Sequence, residues 1–199
     1  MVISVGTDSA LPRRSEEEKF VGEVRKFLCT SEYVKDSTCH FRGDGVGVAD
    51  VELQLKGDLW PSGMPNHLIL EAKTHHTKDS PNTINKIFGQ LLTEASKLRK
   101  KENYCLGILI PTDGAEWIDS KKKANRRGSG IEYYRIAFNR IRANLFSEYG
   151  KLVDARYVLA FSVEKQELSI FGWNEFYKGA MPIQVLVARN LQPVVAHTH

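Results

Sequence analysis

Glu71, Ala72 and Lys73 close the apolar run Leu68-Ile69-Leu70, thirteen positions after Asp58. Side chains alternate along an extended strand, so Glu71 and Lys73 share one face while Leu68, Leu70 and Ala72 share the other. Residues 61–66, Pro-Ser-Gly-Met-Pro-Asn, are turn chemistry, and they are expected to fold the Asp58 segment back on the Glu71 strand as a hairpin. If Asp58 falls opposite residue 69 or 71, two carboxylates and an ammonium converge; a slip of one residue would send Asp58 to the other face. Two carboxylates in a small concavity suit a hard divalent ion that keeps several of its waters, as magnesium does. Such an ion acidifies water and neutralises phosphate charge, and a lysine beside it can orient or deprotonate the nucleophile. The pattern therefore suggests metal-dependent phosphodiester cleavage.

Helices must flank these strands for the groups to be held. Residues 15–29 begin with Ser15-Glu16-Glu17-Glu18, a capping box, and carry the stripe Phe20, Val21, Val24, Phe27 and Leu28, with Glu23 at its border. Residues 82–101 place Ile84, Ile87, Phe88, Leu91, Leu92, Ala95 and Leu98 at helical spacing, with Gln90 and Glu94 one turn apart. Asp50 and Glu52, alternating within 48–53, form a rival acid pair; if they line the site, Asp58 is displaced from it.

This order of parts resembles the PD-(D/E)XK nuclease superfamily over residues 16–112, about half of the chain. The resemblance implies an α/β fold with a restriction-endonuclease-like core, a mixed central sheet flanked by helices. It implies Asp58 and Glu71 as the two signature acids, Lys73 as the signature lysine, and Glu23 and Gln90 as supporting residues. Asp58, Glu71 and Ala72 are the implied metal ligands, for Mg2+ with Mn2+ able to substitute. Gly57 stands where the family's naming proline falls, and Glu94 stands where the exonuclease branch has a tyrosine after its glutamine.

With 199 residues and 42% hydrophobic content, one α/β domain is expected over 1–199, with a catalytic core at 16–112 and further DNA-contacting elements at 113–199. No apolar run approaches a membrane span and no signal peptide opens the chain, so a cytoplasmic protein is expected. Cys29, Cys39 and Cys105 lack zinc-type spacing, and Cys105 reads as buried core. His75 and His76 point to opposite strand faces and make a poor pair of ligands for one ion. The Gly43–Gly47 segment lacks the lysine and helix of a phosphate-binding loop, so no nucleotide cofactor is expected.

The net charge is +4, but Lys121, Lys122, Lys123, Arg126 and Arg127 crowd five cations into seven positions ahead of Gly128-Ser129-Gly130. That segment is expected to be a mobile loop that neutralises DNA phosphates. Residues 131–149 read as one helix offering Arg135, Arg140 and Arg142 to DNA or to solvent. Residues 156–163 and 168–173 read as strands around the polar turn 164–167. Residues 181–191 add another apolar stretch, and 194–199 read as a tail. The expectation is a type II restriction-type endonuclease that works as a homodimer, since cutting both strands needs two sites. A Holliday-junction resolvase and a catalytically inert DNA-binding module are the alternatives.

Overall fold

The computed structural model describes residues 16–35, 40–41, 50–75, 80–98, 103–119 and 124–189. Helix α1 (Glu16–Thr30) buries Phe20, Val21, Val24, Phe27 and Leu28, the stripe read from the sequence. Ser15, its expected cap, lies outside the described residues. Strand β1 (His40–Phe41) and strand β2 (Val51–Gln54) precede a 3-10 turn at Gly57–Leu59, and β3 (His67–Ala72) follows. Alternating Val51 and Leu53 face the core while Glu52 and Gln54 are only half-buried, the period of a strand packed on one side.

Helix α2 (Ser80–Leu98) connects β3 to β4 (Tyr104–Pro111), and the two strands pair in parallel, as a helical crossover allows. Strands β5 (Ala115–Asp119) and β6 (Ala124–Gly128) form a separate two-stranded ribbon. Helices α3 (Gly130–Phe138) and α4 (Ala143–Val153) lead to β7 (Ala155–Ser162), which pairs in parallel with β4. Strand β8 (Glu167–Gly172), the short α5 (Trp173–Tyr177) and β9 (Gln184–Val187) end the described chain. The seven-stranded sheet runs β1-β2-β3-β4-β7-β8-β9, antiparallel at both sides and parallel through β3, β4 and β7.

Each face of this mixed sheet has its own core. On one, α1 packs Phe20, Val24, Phe27 and Leu28 against Leu53, Leu68, Leu70, Leu109, Phe161 and Leu168. On the other, α2 to α5 bring Ile87, Leu91, Tyr134, Phe138, Phe146 and Trp173 against Ile69, Leu106, Ile108 and Val158. The Phe146 and Trp173 rings stack at 4.6 Å, and Gly150 exists because a Cβ there would lie 2.6 Å from that indole. Cys105 is buried, as its apolar run requires. Among the described residues no helix is long and apolar enough to cross a membrane.

Three sequence expectations change here. The 131–149 helix is two helices, broken at residues 139–142, and the break lets both Phe138 and Phe146 reach the same core. Ser129 caps α3 by accepting the Glu132 amide at 3.2 Å, so the glycine-rich exit is a helix start. Arg126 and Arg127 lie in β6, opposite Trp117 and Glu116, instead of in a loop; Lys121, Lys122 and Lys123 lie outside the described residues.

Candidate functional site

The register of β2 against β3 decides which acid meets Glu71. Val51 pairs with Leu70 and Glu52 with Ile69. Continuing by one residue sets Asp50, not Asp58, beside Glu71. Asp58 sits exposed in the 3-10 turn, beyond the His67 end of β3, whereas Glu71 and Lys73 stand at the other end of that strand. The expected convergence on Asp58 is therefore corrected. The cause is that β2 ends at Gln54 and the connection to β3 is long: Leu55 bridges to Val34, and its amide donates to the Asn66 carbonyl at 2.8 Å.

At the end of β2 the Asp50 side chain takes over from the backbone ladder. Its Oδ2 accepts the Ala72 amide at 3.0 Å, which holds the carboxylate next to Glu71. Lys73 closes the group: its Nζ donates to Glu71 Oε1 at 2.8 Å, to the Ala72 carbonyl at 2.8 Å and to Glu17 Oε2 at 3.3 Å, and lies 3.7 Å from Asp50 Oδ2. The Lys73 backbone is pinned as well, since its amide donates to Leu109 O of β4. Asp50, Glu71 and Lys73 are all buried. Three carboxylates thus face one ammonium. Burying that many charges is costly and does little for stability, which makes the cluster a candidate for function.

The electrostatics follow from the geometry. Burial, together with the hydrogen bond and negative charge of Asp50, pushes Glu71 up to about 8 despite Lys73 beside it. For Lys73 burial works against the charged form, but Glu71, Glu17 and Asp50 outweigh it and raise the ammonium above its ordinary value. Lys73 is therefore a firm cation, ill suited to removing a proton.

Glu17 fills the helix-borne position beside Lys73 that the resemblance assigned to Glu23. Glu23 lies one to two turns further along α1, on the wall of a neighbouring cleft of about 460 Å³ that also involves Lys19, Thr74, His75, Asp113 and Gly114. Gln90 of α2 has a buried Oε1 that meets no hydrogen-bond partner among the described residues. Glu52 remains half-buried on β2 opposite Ile69, so only the Asp50 half of the rival pair reaches the site. Ala72 contributes its carbonyl to Lys73 and its amide to Asp50. His75 borders the cleft, with its ring 5.8 Å from that of Tyr133, and His76 lies outside the described residues.

Asp113 escaped the sequence reading, although Asp113-Gly114 is a turn signal. Its carboxylate accepts Ser162 Oγ at 2.6 Å and the Val163 amide at 2.6 Å, tying the β4 exit to the β7–β8 turn at the cleft's edge. The C-terminal edge of the parallel strands thus carries both Lys73 and this cleft, the place where open α/β sheets leave room for ligands.

The expected cationic residues divide. Arg127 pairs with Glu116 at 2.5 Å on the exposed ribbon. Arg140 is exposed, and Arg142 is the N-cap residue of α4. Arg135 is half-buried and engaged within the fold. Its guanidinium lies 5.1 Å from the Phe176 ring centre, donates to Phe176 O at 3.1 Å and also donates to Ala180 O, tying down the end of α5. Arg135→Ala should therefore cost about 1–3 kcal/mol of folding stability, as hydrogen bonds from a charged donor do. Denaturant titration checks this, and unchanged stability would return Arg135 to the surface cations.

As for a metal, the neighbouring Asp50 and Glu71 carboxylates and the Ala72 carbonyl offer hard oxygens of the kind a divalent ion takes. The fit is to a lightly held ion on two carboxylates and a backbone carbonyl; among the described residues no cluster of three or more His, Cys, Asp or Glu is arranged to cage one. Comparison of the chain with protein-family models, with curated proteins and with solved structures found no match.

Proposed function

We propose that this protein is a metal-dependent DNA endonuclease of the restriction type, with a restriction-endonuclease-like core, and that Asp50, Glu71 and Lys73 are its catalytic centre. One observation carries the reading: two carboxylates and a lysine on neighbouring strands meet at one buried point at the edge of the parallel strands. Asp50, Glu71 and the Ala72 carbonyl would hold a divalent ion, Mg2+ or Mn2+. When bound, that ion supplies water acidification and neutralisation of phosphate charge.

The chain's own groups supply the rest. Lys73, kept protonated by its acidic neighbours and with its three N–H donors given to Glu71, Ala72 O and Glu17, acts as a fixed positive charge that offsets charge as it grows on the phosphoryl oxygens. Glu17 anchors the far side of that ammonium at 3.3 Å and fixes its direction. The Asp50 bond to the Ala72 amide sets the spacing of the two carboxylates independently of any ligand. Arg126 and Arg127 on the ribbon, with Lys121, Lys122 and Lys123 between its strands in sequence, add positive charge for the phosphate backbone.

Digestion of plasmid, phage and four-way-junction DNA tests the reading. Discrete fragments in Mg2+ or Mn2+, weak activity in Ca2+ and none in chelator are expected, because calcium accepts looser geometry. Nicking confined to the junction would make the enzyme a resolvase. Retardation of DNA without cutting in any metal would reduce it to a binding module, and full turnover in chelator would overturn the metal mechanism.

A further inference from the structure

We propose that the cleft beside Lys73 seats one base of the DNA substrate that has left the helical stack, and that Glu23 selects guanine there; this deepens the proposed action on DNA and rests on it. The cleft opens where the candidate catalytic centre ends. Thr74 and His75 on its wall directly follow Lys73, and Glu17, which holds that lysine, lies one to two turns from Glu23 on α1. Its volume of about 460 Å³ is that of a small-molecule pocket. A base still paired in a duplex offers only its groove edge, which a projecting side chain, helix or strand reads. A concave wall has no such projection, so the base must come to it, as an extruded or unpaired base does.

The lining selects which part of a nucleotide enters. Among the described residues of the wall, Glu16, Glu23 and Asp113 meet one lysine, Lys19, and Lys19 already donates to Glu16 at 3.1 Å. That balance repels a phosphate. An uncharged base fits it, with Phe20, Pro111 and Val163 as apolar contact surface. Two of the three carboxylates are engaged within the fold: Glu16 by Lys19, and Asp113 by Ser162 Oγ, the Val163 amide and, at 3.3 Å, the Glu164 amide. Glu23 is half-buried and enters no hydrogen bond or ion pair among the described residues. It stands one turn from Phe20 on α1, which puts a ring and a carboxylate side by side on one wall. A carboxylate only accepts, through two adjacent oxygens. Guanine is the base whose Watson–Crick edge offers two adjacent donors, N1–H and the N2 amino group. Adenine and cytosine set one donor beside an acceptor, and thymine sets one donor between two acceptors, so the match is to guanine.

Fluorescence anisotropy in Ca2+ at fixed salt tests the assignment on duplexes that are fully paired or carry one unpaired guanine, inosine or adenine. The wild type is expected to bind unpaired guanine at least about tenfold tighter than unpaired adenine or the paired duplex, the discrimination of a bidentate pair. Inosine, which lacks the N2 amino group, should fall between. Glu23→Gln trades one acceptor oxygen for a donor and should bring these ratios close to one, with an unchanged circular dichroism spectrum showing that the fold survives. Glu18→Gln, on α1 but away from the cleft wall, should keep the ratios. Equal affinities in the wild type, ratios that survive Glu23→Gln or fall equally with Glu18→Gln, or inosine bound as tightly as guanine would overturn the proposal. So would a failure to bind any of these duplexes, or guanosine monophosphate bound as tightly as the duplex with unpaired guanine. A protein that prefers unpaired guanine yet cuts no DNA in any metal keeps this site and loses only the nuclease; one that cuts DNA without the preference loses only this site.

Discussion

Asp50→Ala should lower the DNA cleavage rate by at least about 10³-fold, while Asp58→Ala cleaves at close to the wild-type rate. The contrast follows from strand register. Asp50 is buried, bonded to the Ala72 amide and alongside Glu71, whereas Asp58 is exposed in a turn at the opposite end of β3. Glu71→Gln and Lys73→Ala should fall with Asp50→Ala. Glu17→Gln should lose less, because it acts on the lysine's direction and not on the phosphate. The losses belong in kcat, with DNA affinity measured in Ca2+ retained. An inactive Asp58→Ala beside an active Asp50→Ala would reverse the assignment.

The second large effect is on stability. In the absence of a divalent ion, Glu71 holds its proton up to about 8, against an ordinary value of 4.5. Because the folded-state value is raised, the stabilisation is fully present below about 4.5 and is lost as pH rises through about 8. Lys73, itself raised, stays charged over that window and adds no slope of its own. Unfolding free energy in chelator should therefore drop by a few kcal/mol between about pH 6 and pH 9 through this group. Glu71→Gln, which keeps the neutral shape, should flatten most of that drop. A divalent ion takes the place of the proton, so it should stabilise the wild type more at the alkaline end than at the acidic end. Equal slopes for wild type and Glu71→Gln would place the titrating group elsewhere.

Much of the scaffold is legible in the residues. The five apolar positions of α1, the spacing within α2, and the β7–β8 hairpin around its polar turn all follow from period and turn chemistry, and each is present. Glu71 and Lys73 are legible for the same reason, since strand alternation alone puts them on one face. The partner acid was harder, because register depends on where the preceding strand ends. Val51, Leu53 and Leu55 alternate and stop before Gly57, a signal that places Asp50 at the strand's start and Asp58 past its end; the turn residues at 61–66 mask it. Glu17 is hidden by its neighbours, since three successive glutamates read alike until the contact with Lys73 singles one out. The ribbon carries no repeating apolar face, so its cationic return strand looked like a loop. The break at 139–142 has neither proline nor glycine to announce it.

The parallel arrangement of β3, β4 and β7 also governs when the site can exist during folding. Lys73 is held by Glu17, fifty-six residues earlier, and by Leu109 on β4; β4 is in turn flanked by β7, whose last residue is Ser162. None of these contacts is local, so the chain must close several long loops before the lysine and its acids meet. A growing chain that has not yet emitted β7 lacks the strand that flanks β4, and activity should appear late and abruptly as synthesis proceeds. Under the proposed function, that timing keeps half-made molecules from cutting the DNA around them.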